Sequence, residues 1–138
     1  MTKTCLVIGC AGQDGSLLCQ SLLNKGFKVF GTSRTFGPKQ NHRIIGIEGK
    51  LKINKLNLSK VDEIQEFINL IKPDEIYNLS AQSSVGLSYY QPIETQISIV
   101  NATINLLEAC KINNFRGAIF CAGSGEIFGE TKYPATLN

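Results

Sequence analysis

Ile8-Gly9-Cys10-Ala11-Gly12-Gln13-Asp14-Gly15-Ser16 is the stretch that decides the fold. Upstream of it, Thr4-Cys5-Leu6-Val7-Ile8 is a short apolar run of strand character. Downstream, Leu17, Leu18 and Leu22 recur as one face of a helix, and Gly26 stands where a helix C-cap belongs. The order is strand, glycine turn, helix. Glycines at 9, 12 and 15 suit a turn that wraps a pyrophosphate. One allows the tight bend, one lets backbone N–H groups approach the phosphate, and one lets helix and strand pack closely. The helix N-terminus then offers unpaired N–H groups and partial positive charge to the anion. Gly9, Gly12, Gln13, Asp14 and Gly15 are therefore candidate cofactor contacts. A glycine-rich surface turn has the same composition, and the flanking strand and helix are what favour a dinucleotide site.

The 138 residues, 43% of them apolar, are enough for one domain with a proper core and too few for two ordinary ones. No apolar run approaches the roughly 20 residues of a membrane span, and the N-terminus lacks the succession of a signal peptide, so a cytoplasmic protein is expected, with no membrane partner. The five cysteines are odd in number and contain no C-x-x-C pair, which gives neither a metal site nor a disulfide framework. Most read as small core residues; Cys10, near a helix N-terminus, is the one whose position could make it reactive. A formal charge of +3 is too small to imply a nucleic-acid partner. The cations are concentrated: nine Lys and Arg fall between Lys25 and Lys60 against one acid, Glu48. A solvated surface accounts for most of them, and a phosphate-bearing ligand for one or two.

Taken in order, Phe27-Lys28-Val29-Phe30-Gly31 reads as a second strand. An Asp or Glu at its end would take an adenosine ribose hydroxyl, whereas a basic residue would accommodate a 2′-phosphate. The run there is Thr32-Ser33-Arg34-Thr35, without an acid, and an arginine fork binds phosphate through charge-assisted bonds. NADP is expected in preference to NAD, with Arg34 as its reader. Residues 36–50, with Gly37-Pro38, Gly46 and Gly49, read as a loop, and His42 within it as a surface residue. Leu51 to Leu56 alternates as a third strand. Ser59 or Asn57 is the expected cap of a helix carrying Val61, Ile64, Phe67, Ile68 and Ile71 as a core stripe up to Pro73.

Asp74 to Leu79 forms a fourth strand leading into Ser80-Ala81-Gln82-Ser83-Ser84, whose small residues would let a ligand approach the strand end; Gln82 and Ser83 are expected to look into that crevice. A long helix is expected over about 92–113, with Ile97, Val100, Ile104 and Leu107 on one face. Gly117-Ala118-Ile119-Phe120-Cys121 then reads as a strand buried on both faces. Strands alternate with helices throughout, which predicts an α/β fold with a doubly wound parallel sheet and right-handed crossovers.

These residues resemble the extended short-chain dehydrogenase/reductase family and, within it, the GDP-mannose 4,6-dehydratase group. The resemblance spans nearly the whole chain and is most specific at Gly12-Gln13-Asp14-Gly15-Ser16 and at Pro73 to Ser83. Leu106-Leu107-Glu108-Ala109 and Ser124 to Gly129 match less specifically. It implies a Rossmann dinucleotide-binding fold and a lyase that uses bound NADP catalytically on a nucleotide sugar, turning GDP-mannose into GDP-4-keto-6-deoxymannose. Hydride leaves sugar C4 and later returns at C6, with loss of water across C5 and C6 in between. By position, Ser124 takes the hydroxyl role and Glu126 the acid/base role. Cofactor contacts are implied at Asn57, Leu58, Leu79, Ala81 and Ser83, substrate contacts at Gln82, Ser83 and Ser88, and a homo-oligomer for the full-length protein.

The sequence departs from the group at several places: Ile8 for Thr, Asn57 for Asp, Ser84 for His and Ile99 for Asn or Asp. The group's Tyr-x-x-x-Lys pair has no counterpart, because Tyr133 is followed by Pro134 and has Leu137 four positions on. A tyrosine accepts a hydroxyl proton near neutral pH only beside a cation that lowers its pKa. The expectation is therefore an N-terminal NADP-binding portion, residues 1–138, with the substrate-binding part missing. An epimerase or reductase fragment of the same family and a noncatalytic nucleotide-binding module are the alternatives.

Overall fold

The computed structural model describes residues 2–33, 42–47, 49–134 and 136. Five parallel strands, β1 (Thr4–Ile8), β2 (Lys28–Thr32), β3 (Lys52–Asn54), β4 (Glu75–Asn78) and β5 (Ala118–Cys121), form one sheet in the order β3-β2-β1-β4-β5. The chain runs outward from β1 to β3 and then crosses back to β4. The order thus reverses between β1 and β4, the place where open α/β sheets bind ligands. The doubly wound expectation is met, with the third strand confined to three residues.

Alternation along β1 sends Cys5 and Val7 to one face and Leu6 and Ile8 to the other. The first face meets α1 (Gln13–Asn24) in a core that includes Cys10, Cys19, Leu22 and Val29. The second meets α2 (Val61–Ile71) and α5 (Ala102–Ile112) in a core of Ile64, Ile68, Ile76, Leu106 and Ala109. Helix α1 stops where the sequence says it should. Gly26 takes φ 79°, its N–H bonds Leu23 O, and Phe27 N–H reaches back to Leu22 O.

The helix faces differ from expectation. On α1 Leu22 is buried and Leu18 half-buried against the core, but Leu17 is 61% exposed, and Gly15, Ser16 and Cys19 complete the buried side. Two small residues at its start let the helix lie against the turn, and that contact sets its phase. Lys60 occupies the N-cap position of α2 and no side chain caps the helix; the Asn57 side chain accepts instead from Ser59 N–H at 3.0 Å, ahead of the helix.

The helix expected over about 92–113 forms, running without a gap from Pro92 to Ile112 with a π-helical turn inside it, and a shorter helix precedes it. Residues Val85–Tyr90 form α3, Pro92–Gln96 form α4, a π-helical turn covers Ile97–Asn101, and α5 follows. Gln91 leaves helical geometry because the residue before a proline is sterically pushed out of it. The Ile97, Val100, Ile104 and Leu107 face is turned outward, while α5 packs through Ala102, Leu106, Ala109 and Cys110. Small side chains allow the closer approach, and so they decide which face is buried. The expectation for β5 also fails. Ala118, Phe120 and Cys121 are exposed because β5 is an edge strand, and only Ile119 packs on the α2/α5 core.

Candidate functional site

The turn after β1 is built from backbone. Gly9 has φ 89°, and a Cβ there would lie 3.0 Å from the Leu79 carbonyl, so this glycine serves both the bend and the contact with the end of β4. A Cβ on Gly15 would fall 2.1 Å from Gly9 O, well inside any tolerable contact. Gly15 therefore lets the first turn of α1 rest on the strand end. Gly12 differs: it is exposed, has an ordinary φ of −71°, and a Cβ would meet only Gly9 O at 3.2 Å. Its surroundings leave the outer side of the turn open. Bend, approach and packing are thus divided among the three glycines in that order.

The turn is pinned to β2, since Gly9 and Cys10 N–H both donate to Thr32 O, at 2.9 and 3.1 Å. Gly12 N–H bonds Gly9 O, and Ser16 N–H makes the first helical bond to Gly12 O. The amides of Gln13, Asp14 and Gly15 precede that bond, and no side chain caps the helix. They are the donors an anion would take. The Asp14 carboxylate complements the helix dipole yet would repel a phosphate, so Asp14 can serve an anion only through its N–H.

The loop after β4 lies beside this turn, with Leu79 N–H on Ile8 O at 2.9 Å and the Leu79–Ser80 backbone against Gly9. Asn78 is buried, and its side-chain oxygen accepts from both the N–H and the hydroxyl of Ser80. Gln82 uses its side-chain oxygen locally, accepting from Ser84 N–H at 3.2 Å, while its own N–H donates to Ser98 Oγ at 3.2 Å. Ala81 and Ser83 are exposed. Ser84 caps α3 through Leu87 N–H, and the Ser88 hydroxyl donates to Val85 O at 2.6 Å. Across the sheet, Asn57 and Leu58 follow β3, and Asn105 of α5 holds Leu58 O at 2.9 Å.

Beyond β5, Ala122 N–H donates to Asn78 O, and the 3₁₀ turn Gly125–Phe128 is entered by Ile127 N–H on Ser124 O at 3.4 Å. Ser124 is exposed at the sheet end that also carries the glycine turn. The side chain of Glu126 lies outside the described residues, as does all of Arg34. The backbone thus gathers the turns after β1, β4 and β5 along one edge of the sheet. Sequence reading missed Asn78, Ser98 and Asn105. Each acts on a backbone group, and two of the three do so on a partner 16 or 47 residues away.

Cys10 is fully buried, and burial pushes its thiol up to about 11, so its place beside a helix N-terminus does not make it reactive. Burial likewise raises Cys19 to about 12. The main charged cluster lies at the opposite edge, where the strands begin. Lys3 bonds Glu75 at 2.7 Å and the Tyr77 hydroxyl donates to Glu75 at 2.8 Å, holding the carboxyl below its usual value. Tyr77 rises to about 12, through burial first and Glu75 second. Among the cations expected to be solvated, Lys28 and Lys52 sit over the Phe30 ring and Lys60 pairs with Glu63. Among the described residues no cluster of His, Cys, Asp and Glu could hold a metal ion, and no helix is long and apolar enough to cross a membrane.

The chain is 35% identical to GDP-mannose 4,6 dehydratase 1 of Arabidopsis thaliana, over 96% of its own length and 40% of the relative's. It is 33% identical to the Homo sapiens GDP-mannose 4,6 dehydratase, over 92% of the chain and 37% of that relative. It spans about two fifths of the length of these curated relatives. Among solved structures, UDP-glucose 4-epimerase from Bifidobacterium longum, in complex with NAD+ and UDP, superposes with a TM-score of 0.86 at 26% identity, covering 98% of this chain and 41% of that one. The epimerase likeness supports the Rossmann fold. Residues 6–136 match the family model for GDP-mannose 4,6 dehydratase, and the chain belongs to that family.

Proposed function

We propose that residues 1–138 are the N-terminal NADP-binding domain of a cytoplasmic nucleotide-sugar dehydratase, a lyase acting on GDP-mannose to give GDP-4-keto-6-deoxymannose. The observation that carries this reading is the glycine turn. Its three glycines meet three different steric demands, and the first-turn amides of α1 point out of it at the sheet's reversal point. The substrate class rests on family membership. When bound, the dinucleotide would supply a reversible hydride acceptor.

The chain's own residues divide the remaining work. Gly9, Gly12, Gln13, Asp14 and Gly15 would hold the pyrophosphate, Gly9 and Gly12 by shaping the turn and Gln13, Asp14 and Gly15 through their amides. Asn57 and Leu58 would border the adenine, and Leu79, Ala81 and Ser83 the other half of the dinucleotide. Gln82, Ser83 and Ser88 face the sugar nucleotide, Ser124 orients the sugar hydroxyl, and Glu126 moves the proton at sugar C5. In an active preparation Glu126→Gln should stop exchange of the C5 hydrogen with solvent, and normal exchange would remove Glu126 from that role.

NADP is preferred because Thr32-Ser33-Arg34-Thr35 offers an arginine and no acid. Titration of the chain with NADP and with NAD tests this. Arg34→Ala should weaken NADP by about 1–3 kcal/mol and leave NAD nearly unchanged. Equal losses would show that Arg34 does not read the phosphate. The second reading is a nucleotide-sugar epimerase, favoured by the fold likeness to an NAD+ complex; it predicts tighter NAD. We read the protein as a homo-oligomer, supported by the exposed apolar side chains of Ile93, Ile97, Val100, Ile104 and Leu107 on this helical segment. Sedimentation of Ile97→Lys should show monomer if those side chains associate.

A further inference from the structure

The π-helical turn Ile97–Asn101 is the one irregularity in a helical segment that otherwise only covers the sheet, and it carries Ser98. Such turns insert a residue into the helix, cost hydrogen-bond geometry and cluster where a side chain must be aimed. One inserted residue rotates everything before it by roughly 100° relative to α5. Ser98 Oγ donates to Thr95 O at 2.9 Å and accepts the N–H of Gln82 at 3.2 Å. The hydroxyl's single proton is committed to its own helix. What Ser98 offers the loop is therefore an acceptor of fixed direction.

Gln82 is the middle residue of Ala81-Gln82-Ser83, and its side chain is folded back on Ser84 N–H. The loop is thus fastened at Asn78 by two bonds to Ser80 and at Gln82 by Ser98, and Ala81 is exposed between them. In such folds the adenosine half is held on the β2 side of the pyrophosphate turn, so a dinucleotide crossing the reversal point would put its other half on the β4 side, against this loop.

We infer that Ser98 is a positioning residue: held by the π turn, it fixes the Gln82 amide and so shapes the 81–83 loop for the nicotinamide half of the cofactor. The inference rests on the dinucleotide reading. Its test uses the chain with NADP and, separately, with 2′,5′-ADP, which represents the adenosine half alone. Ser98→Ala should weaken NADP about fivefold, the order expected for one lost neutral hydrogen bond, and leave 2′,5′-ADP unchanged. Ser98→Thr, which keeps the hydroxyl, should restore NADP. Amide hydrogen exchange at Gln82 without ligand should quicken in the Ala variant and not in the Thr variant. Loss of both ligands equally, or of neither, overturns the positioning role, as does unchanged exchange at Gln82. A wild-type chain that binds neither nucleotide sinks the dinucleotide reading itself, and this inference with it. Binding of 2′,5′-ADP together with an insensitive Ser98→Ala sinks the inference alone.

Discussion

The turn after β1 and the turn after β5 stand at the same edge of the sheet and are built in opposite ways. The first is closed: Cys10 is fully buried, Gly15 has backbone within 2.1 Å of where a Cβ would stand, and four backbone hydrogen bonds tie Gly9, Cys10, Gly12 and Ser16 in place. The second is open: residues 121–124 are exposed, Gly123 has nothing within 4 Å, and the long 3.4 Å bond from Ile127 to Ser124 O enters its 3₁₀ turn. A site that grips by backbone must be fixed before its ligand arrives. A site that works by side chains is finished by whatever packs over it.

The largest effect expected from this contrast is at Gly15. Its Cβ would collide with immovable backbone, so Gly15→Ala should cost about 3 kcal/mol or more, read as a lowered urea midpoint. A near-native midpoint would show that the turn is not closed. Next comes Gly12→Val, which projects bulk from the open side of the turn. NADP affinity should fall by tenfold or more while stability drops by only about 1 kcal/mol, the scale of a poorer N-cap. Parallel losses in both would make Gly12 a structural residue like Gly15.

A smaller effect lies at the far edge of the sheet. The folded chain holds Glu75 below the 4.5 of a free carboxyl, so the Lys3–Glu75–Tyr77 cluster adds stability above that pH and loses it as acid titrates the folded carboxyl. Tyr77 works in the other direction. Its rise from 10.0 to about 12 favours the neutral phenol, whose contribution is complete below pH 10 and fades as pH climbs to about 12. Unfolding midpoints should drop from pH 7 down to pH 3 in wild type and stay flatter in Glu75→Gln, by a small margin because Lys3 is exposed. Parallel curves would dismiss the cluster as a contributor. The smallest effect is Gly123→Ala, expected within about 0.5 kcal/mol of wild type, because nothing crowds it and its φ is not left-handed. A large loss there would mean that the β5 turn is as closed as the first.

The same contrast explains what the sequence made legible. Gly9, Gly12 and Gly15 state their steric roles by their identity and spacing, and the strand ends follow from apolar runs that backbone geometry alone must satisfy. Contacts that depend on how two helices come together are not written locally. Leu17 and the Ile97–Leu107 positions read as helix faces without a stated direction, and Gly15 with Ser16, and Ala102 with Ala109, take the buried positions because small residues permit closer packing. The run at β5 read as doubly buried because composition cannot tell an edge strand from a central one. Ser98 gave no signal, since its value depends on a π turn and on a partner sixteen residues earlier.

The central place of β1 has a consequence in time. Residues Cys5 to Ile8 pair on one side with β2, which follows closely, and on the other with Glu75 to Asn78, seventy residues later. At synthesis rates of about 5–20 residues per second, the nascent β1–β2 pair waits several seconds for its second neighbour. Throughout that interval β1 presents an unpaired edge along Cys5–Ile8, residues that the finished fold buries almost completely. Pairing β1 with β4 closes a loop of about seventy residues, a late and non-local event of the kind that makes parallel sheets slow to form.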